Sequence, residues 1–229
     1  MIDFFITYGE HWSDWSVRLF EAAQITALLS FAGFSIALVL GAALTMAMRS
    51  SNWALRAVCR AFVELMRTVP LLALLLALYF ALPPLGLTLT AFWAGSIGLG
   101  LHGSAYIAEI LRGGLMSVHK GQRESALAAG LSPLQVFVRV VFPQALRVIL
   151  PPLLNTYVAL LKDSSLCALI ATDELMRAAR AISSESFLPM HIFLLVGVLY
   201  FSIAFPLSML SRWLQSRLNR GRRMTGRAT

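Results

Sequence analysis

Apolar residues run along this chain in long blocks, separated by short segments in which polar and charged residues gather. An α-helix needs about 20 apolar residues to cross the hydrocarbon core of a bilayer. Four blocks reach or approach that length, at 22–48, 68–101, 145–161 and 187–211. The second is too long for one crossing, and its Pro83-Pro84-Leu85-Gly86 sequence is typical of a turn. The pattern predicts five spanning helices, near 19–48, 57–82, 89–112, 138–161 and 189–214.

Composition supports a polytopic, all-α membrane protein. The chain is 58% hydrophobic and 13% charged, whereas soluble domains carry about 25% charged residues. The sequence has no internal repeat, low-complexity linker or soluble domain, so residues 1–229 are interpreted as one membrane domain. The N-terminus lacks the basic start of a cleaved signal peptide. Cys59 and Cys167 fall on opposite sides of the membrane in this topology, so neither a disulfide nor a metal site is predicted.

The distribution of basic residues predicts the orientation, because Lys and Arg accumulate in cytoplasmic loops. The first and third connections and the C-terminus are basic, the second connection is uncharged, and the fourth is mixed. We therefore expect the N-terminus outside, near Asp3, Glu10 and Asp14, and the C-terminus in the cytoplasm. The net charge of +8 then reflects orientation and requires no nucleic-acid partner. The basic tail, with Arg220, Arg222, Arg223 and Arg227, is also suited to anionic membrane lipid.

Residues 120–143 form a polar segment, rich in small residues, between the third and fourth predicted spans. Gly130 is typical of a helix stop with positive φ. Ser132 can cap a second helix that has Pro133 at its first position. The segment therefore predicts two short helices, where a simple connection would need only a few polar residues. Small side chains in the first helix would let another surface approach the backbone. The alternative is an ordinary amphipathic loop.

This segment resembles the EAA loop of binding-protein-dependent ABC transporter permeases. The loop pattern is EAA, three residues, Gly, nine residues, then Ile-x-Leu-Pro. The matching residues here are Glu124-Ser125-Ala126, Gly130 and Val140-Val141-Phe142-Pro143. Ser125, Val140 and Phe142 are conservative departures from the pattern.

Other stretches resemble the polar amino acid uptake branch of that family, and together they cover roughly 20–215. They are 62–72, 105–114, 143–147 and 161–166. The resemblance implies a type I ABC importer permease fold in the bacterial inner membrane. It also implies a second permease chain, identical or sister, two cytoplasmic ATPase subunits, an external solute-binding protein and a polar amino acid substrate. The chain has no GxxxxGK[ST] sequence, so ATP and Mg are expected on the partner ATPase and this chain is not expected to be an enzyme.

The resemblance also implies one coupling helix, here about 121–131, that docks in a groove on an ATPase subunit. The coupling candidates are Glu124, Ser125, Ala126, Gly130, Leu131 and Pro143. Glu124 would contact a basic residue of the groove. Alternatively, its charge only favours the helix dipole, which is worth about 0.3–1 kcal/mol.

Polar residues inside predicted spans are the candidates for a substrate path, since their burial in lipid is costly. They are Glu64, His102, Ser104, Asn155, Lys162, Asp163 and Ser164. Lys162 and Asp163 could meet the carboxylate and ammonium groups of an amino acid; the alternative is a surface ion pair worth about 0–1 kcal/mol. His102 departs from the Asn usual in the family and could instead be a satisfied interior group.

The spacing of Glu64 and Arg67 lets them pair on one helix face, as does that of Glu109 and Arg112. Such pairs fit structural anchors at the membrane interface as well as a transport role, and we favour the structural interpretation for Glu109. Thr156 stands where many relatives carry glutamate, which argues against a cationic substrate.

Three other classes of protein are alternatives to a permease. A secondary transporter or channel would not require an ATPase, but such proteins often have duplicated halves, and no repeat is present. A membrane enzyme would need nucleophiles, metal ligands or acid–base groups converging at one depth, and no such set can be assembled. A structural scaffold would not account for the spacing of 124–143.

Overall fold

The computed structural model describes the backbone of residues 2–225 and the side chains of Tyr8, Gly9 and residues 11–218. The side chains of six charged residues near the termini lie outside the described residues: Asp3, Glu10, Arg220, Arg222, Arg223 and Arg227. The α-helices are α1 (Ile2–Ala47), α2 (Trp53–Thr68), α3 (Leu71–Leu76), α4 (Ala91–Met116), α5 (Lys120–Ala128), α6 (Pro133–Val136), α7 (Phe142–Asp163), α8 (Leu175–Ser186) and α9 (Pro189–Thr225). Short π or 3₁₀ turns follow α3, α6 and α7, at Ala77–Ala81, Pro83–Leu85, Phe137–Val141 and Ser164–Ile170.

Three helical stretches of the described chain are long and apolar enough to cross a membrane: His11–Ala47, Pro133–Ile170 and Pro189–Leu218. A fourth candidate is the bent pair Trp53–Thr68 and Leu71–Ala81. The 26-residue α4 has the length to cross, about 39 Å at 1.5 Å per residue, but it is richer in glycine and polar residues. The five-span count therefore stays a prediction.

The continuous helix expected over 57–82 is interrupted. Asn52 caps α2, its side chain accepting from the N–H groups of Ala54 and Leu55. The helix ends at Thr68 because Val69, which precedes Pro70, is extended (φ −73, ψ 129), and proline disfavours the helical conformation in the residue before it. The chain resumes as α3 at 106° to α2. The helix predicted near 57–82 is therefore divided into two segments, which together form one bent candidate span.

The centre of the bundle is a close packing of α1 against α4. A Cβ atom on Gly33 would lie 2.8 Å from Leu99 Cβ, and one on Gly41 would lie 2.7 Å from Ile107 Cγ2. Glycine at these positions lets the two helices approach within contact of each other's branched side chains, as small residues do between membrane helices. Leu29, Leu75 and Leu160 join Leu99 and Ile107 in the fully buried core.

The bundle has two distinct ends. At one, α8 packs on the start of α1 and of α9 through Trp15, Leu19, Leu175, Ile182 and Ile192. We call this the α8 end. At the other, α5 and α6 pack against the last turns of α4 through the cluster described below, and we call this the α5 end.

Candidate functional site: the α5–α6 segment and the polar groups of the bundle

The α5–α6 segment (residues 120–136) is shaped by local capping. Gly130 has φ +84, and the Leu131 N–H donates to the Ala126 carbonyl oxygen at 3.2 Å. Ser132 caps α6 in a reciprocal box with Gln135, with distances of 3.3 Å and 2.9 Å. These interactions satisfy backbone groups that helix ends leave open. The two predicted short helices, the stop at Gly130 and the cap at Ser132 are confirmed. Leu131 lies in the turn, because α5 ends at Ala128.

Ala126 anchors α5 to the bundle. It is 9% exposed and packs in a small cluster. The cluster also contains Val136, Val141, Leu115, Val118, Leu131 and Val140. Since Leu115 belongs to α4 and Val141 directly precedes α7, one apolar contact region joins α5 to both of these long helices. A displacement of α5 would therefore move α4 and α7 as well.

The outer surface of the α5–α6 segment is free for a partner. Glu124 and Ser125 are exposed, and Glu124 makes no side-chain hydrogen bond or ion pair with any described residue. Leu127 and Leu134 are 43% and 72% exposed. Exposed apolar groups beside an unpaired charge are typical of a protein-docking surface. Neither leucine was among the coupling candidates predicted from the sequence.

Pro143 lies near the start of α7, exposed, just after the π-helical turn. Proline is tolerated there because the first N–H groups of a helix have no partner within it. Pro143 therefore belongs to the first turn of α7 and does not contribute to the exposed surface of α5.

His102 and Asp163 lie close enough to influence each other electrostatically, which the sequence did not predict. His102 is in the middle of α4 and Asp163 is the last residue of α7, and the two groups interact electrostatically. The His102 ring also lies 5.2 Å from the Tyr106 ring. Its Nδ1 is buried with no hydrogen-bond partner among the described residues. His102 and Asp163 thus place one interacting polar group on α4 and one on α7.

The other substrate-path candidates have local partners. Ser104 Oγ donates to the Leu101 carbonyl oxygen and Ser164 Oγ to that of Leu161, each at 2.7 Å. Ser211 of α9 donates to Asn155 Oδ1 at 2.8 Å. Asn155 therefore joins α7 to α9.

Lys162 is exposed and forms no ion pair with Asp163 in the described structure. The surface ion pair that was the alternative interpretation of Lys162 and Asp163 is therefore absent from the described structure.

Two ion pairs with i, i+3 spacing lie toward the α5 end, as the spacing predicts. Glu64 and Arg67 of α2 are 3.5 Å apart. Glu109 and Arg112 of α4 are 2.6 Å apart. All four residues line a cavity of about 480 Å³ between the two helices. Each carboxylate is thus neutralised by an arginine on its own helix.

Glu174 is a buried carboxylate whose position the sequence did not reveal. It is 0% exposed and caps α8 by accepting from the N–H groups of Met176 and Arg177, at 2.9 Å and 2.8 Å. The Tyr200 hydroxyl of α9 donates to it at 2.7 Å. Burial raises the pKa of Glu174, and the hydrogen bonds oppose that shift only in part. Nothing in the Asp173-Glu174 sequence indicates which of the two acids is buried.

This helical membrane fold, with two short capped helices exposed at one end, defines a class of transport protein. Residues 33–223 match the family described as "Binding-protein-dependent transport system inner membrane component". The chain belongs to this family. The predicted all-α permease fold and the family resemblance are thereby confirmed.

Two curated relatives carry names that refer to glutamine. The chain is 37% identical over 160 residues to the "Probable glutamine ABC transporter permease protein GlnM" of Bacillus subtilis, covering 70% of this chain and 74% of the relative. It is 36% identical over 213 residues to the "Glutamine transport system permease protein GlnP" of Escherichia coli, covering 90% and 97%.

Solved structures share the fold. One described as an amino acid ABC transporter with histidines has a TM-score of 0.84 at 29% identity, over 90% of this chain and 96% of that one. The MetNI methionine ABC transporter, in an inward-facing conformation, has a TM-score of 0.65 at 22% identity, over 87% and 96%. The second likeness concerns the fold alone.

Proposed function

We propose that this chain is the permease subunit of an ATP-driven importer of a polar amino acid. The observation that carries the proposal is the α5–α6 segment, with an unpaired Glu124 on its outside and Ala126 buried on its inside. The relatives named as glutamine permeases support the amino acid class of substrate. The partners would be a second permease chain, a pair of ATPase subunits and a solute-binding protein.

The ATPase subunits would supply the energy and this chain the movement. As the ATPase subunits close on ATP, the α5 helices of the two permease chains would be drawn together. The cluster around Ala126 would pass that displacement to α4 and α7. The translocation path between the two permease chains would then open to the outside, and hydrolysis would reset it. ATP and Mg would remain on the partner subunits.

The orientation follows from charge. Arg49, Arg60, Arg112, Lys120 and Arg123 gather at the α5 end, where they line one cavity. By the preference of Lys and Arg for the cytoplasm, the α5 end would face the ATPase subunits there. The α8 end would face the solute-binding protein. Five spans with the N-terminus outside satisfy this arrangement.

We further propose His102 and Asp163 as the central contacts of the substrate path. They interact electrostatically between α4 and α7, and the Nδ1 atom of His102 has no hydrogen-bond partner among the described residues. A carboxylate and an imidazole are suited to the ammonium and carboxylate groups of an amino acid. Glu64 and Lys162 would act nearer the two ends of the path. Ser104 and Ser164 donate to carbonyl oxygens three residues before them, Asn155 accepts from Ser211 of α9, and all three contribute mainly to packing.

Reconstitution tests the proposed function. The chain is co-expressed with the ATPase and binding protein encoded beside it, purified through a tag on this chain, and placed in proteoliposomes. We expect the ATPase to co-purify and amino acid uptake to require ATP. Uptake driven by an ion gradient without ATP would instead identify a secondary transporter, and a chain that binds no ATPase would refute the proposal.

A further inference from the structure

A basic cavity of about 460 Å³ lies at the α5 end, among the end of α1, α2, the end of α4 and the start of α5. Its lining contains Arg49, Arg60, Arg112, Lys120 and Arg123, and apolar surface from Leu115, Met116, Val118 and Val141. No carboxylate contributes to this lining in the described part of the chain. The cavity therefore combines concentrated positive charge with an apolar wall.

Four of these five cations have no ion-pair partner in the described chain, although Arg49, Arg60 and Arg112 also line the adjoining cavity that contains Glu64 and Glu109. Arg112 is paired with Glu109, its Nη2 lying 2.6 Å from the carboxylate. Within the described structure, the side chains of Arg49, Arg60, Lys120 and Arg123 make no hydrogen bond or ion pair. Like charges held close together repel, and the potential inside a concave site attracts an anion. Arginine in particular binds phosphate through paired N–H donors.

The cavity lies beside a helix suited to the membrane interface. On α2, Trp53, Leu55 and Val58 are 74%, 42% and 67% exposed, and this helix lies at 106° to the apolar α3. Tryptophan favours headgroup depth, and an amphipathic helix lies in the plane of the interface. Arg56, one turn before Arg60, is bonded to the Ser50 and Ser51 carbonyl oxygens. Arg60 is thus the free arginine of this helix that reaches the cavity.

We propose that this cavity binds the phosphate headgroup of an anionic phospholipid, with the acyl chains lying along the exposed apolar face of α2. Charge complementarity selects an anion, and the apolar wall with exposed Met116 selects one that carries a hydrocarbon chain. The bound lipid would bridge α1, α2, α4 and α5, and so would stabilise α5 against the bundle. The assignment of the bound lipid to the cytoplasmic leaflet rests on the proposed orientation of the chain. The existence of the lipid site does not depend on that orientation.

Lipid titration of the purified full-length transporter tests the site. The complex is delipidated in detergent, mixed with phosphatidylglycerol or with zwitterionic phosphatidylcholine, and the bound lipids are counted by native mass spectrometry. Removing charge with Arg49→Gln and Arg60→Gln should weaken phosphatidylglycerol binding about fivefold for each arginine, and roughly 25-fold together. The Arg49→Lys, Arg60→Lys pair should retain most of the binding. The matched control is the pair Arg139→Gln and Arg147→Gln, exposed arginines that do not line the cavity.

Selective phosphatidylglycerol binding that the glutamine pair weakens to the expected extent and the control pair leaves intact supports the site. Equal binding by the glutamine pair and the unmodified protein would overturn it, as would equal affinity for phosphatidylcholine. Displacement by the same concentration of glycerol phosphate would identify a soluble anion instead. Loss of the ATPase subunits with unchanged lipid binding would assign the cavity to that interface. If the double variant aggregates, Arg60→Gln alone decides the question. The titration uses neither ATP nor a transported solute, so its result stands apart from the proposed function.

Discussion

The Tyr200 hydroxyl donates a 2.7 Å hydrogen bond to the buried carboxylate of Glu174. This contact joins α9 to the start of α8, and the neighbouring Thr26 Oγ1 accepts from the Leu175 N–H at 3.0 Å and so adds α1. Three helices thus meet in one polar node inside the otherwise apolar α8 end. Buried polar groups are costly unless their hydrogen bonds are complete, so the node should be sensitive to single-atom changes.

Removing the Tyr200 hydroxyl should destabilise the folded protein. Tyr200→Phe leaves Glu174 without a partner on α9, and a hydrogen bond to a charged group contributes about 1.5–3 kcal/mol. We expect a lower midpoint of thermal unfolding for the purified protein, followed by tryptophan fluorescence. Tyr157→Phe is the matched control, because its hydroxyl has no hydrogen bond among the described residues while its ring contacts Phe34. An unchanged midpoint for Tyr200→Phe would show that the node contributes nothing.

Glu174 should make stability depend on pH. Burial raises its folded-state pKa above the ordinary value of 4.5, so between the two values the folded protein binds more protons than the unfolded chain. Stability then falls as pH rises through the folded pKa, and is greatest below 4.5. Relative to Glu174→Gln, which does not titrate, the unmodified protein should gain stability as pH falls from neutral. Parallel stability curves for the two proteins between neutral pH and 4.5 would contradict this assignment.

Reversing the charge on α5 should uncouple transport. Glu124→Lys should leave the chain in the membrane, because Glu124 is exposed and unpaired within the described chain. It should reduce ATP-driven uptake about tenfold or more, as expected when a buried interfacial charge pair is replaced by repulsion. Uptake and ATP hydrolysis are measured together in proteoliposomes. Near-normal uptake by Glu124→Lys would refute the coupling role.

The turn after α5 should tolerate only particular residues at Gly130. A Cβ atom there meets no neighbour, but φ is +84, a region that costs most side chains about 1–2 kcal/mol. We expect Gly130→Ala to lower stability and uptake, and Gly130→Asn to do so less, since asparagine accepts this conformation. Gly113→Ala is the control, because it is helical and also has open space. Equal effects of alanine and asparagine at Gly130 would exclude a conformational cause.

The pairing of His102 with Asp163 should affect substrate affinity. Asp163→Asn should raise the substrate concentration for half-maximal uptake about tenfold, since a hydrogen bond to a charged group is worth about 1.5–3 kcal/mol, while ATP hydrolysis stays responsive to the binding protein. His102→Gln should act similarly, and the double variant should lose less than the sum of both. Ser165→Ala, which removes only a donor to the Lys162 carbonyl oxygen, is the control. Unchanged uptake in both single variants would remove these residues from the path.

Local chemistry explains where sequence reasoning succeeded. The stop at Gly130, the cap at Ser132 and the ion pairs of Glu64 and Glu109 involve residues no more than five apart. The same local rule applied to Val69-Pro70 would have predicted the break between α2 and α3, but the continuous hydrophobic run outweighed it. The length of a hydrophobic run indicates how much of the chain can be buried in lipid. It carries no information about the angle between consecutive helices within that run.

The sequence by itself determined the helical membrane class, the family, and the two short helices with their caps, because these depend on composition and on contacts within one turn. Only the tertiary structure decided that Glu174 is buried against Tyr200 and that His102 and Asp163 influence each other electrostatically. It also decided that five cations, from the turn after α1 and from α2, α4 and α5, share one cavity. These groups are far apart along the chain, or on helices whose relative rotation no periodicity specifies. Their meeting depends on how α1 and α4 interlock at Gly33 and Gly41, and on where every other helix then packs.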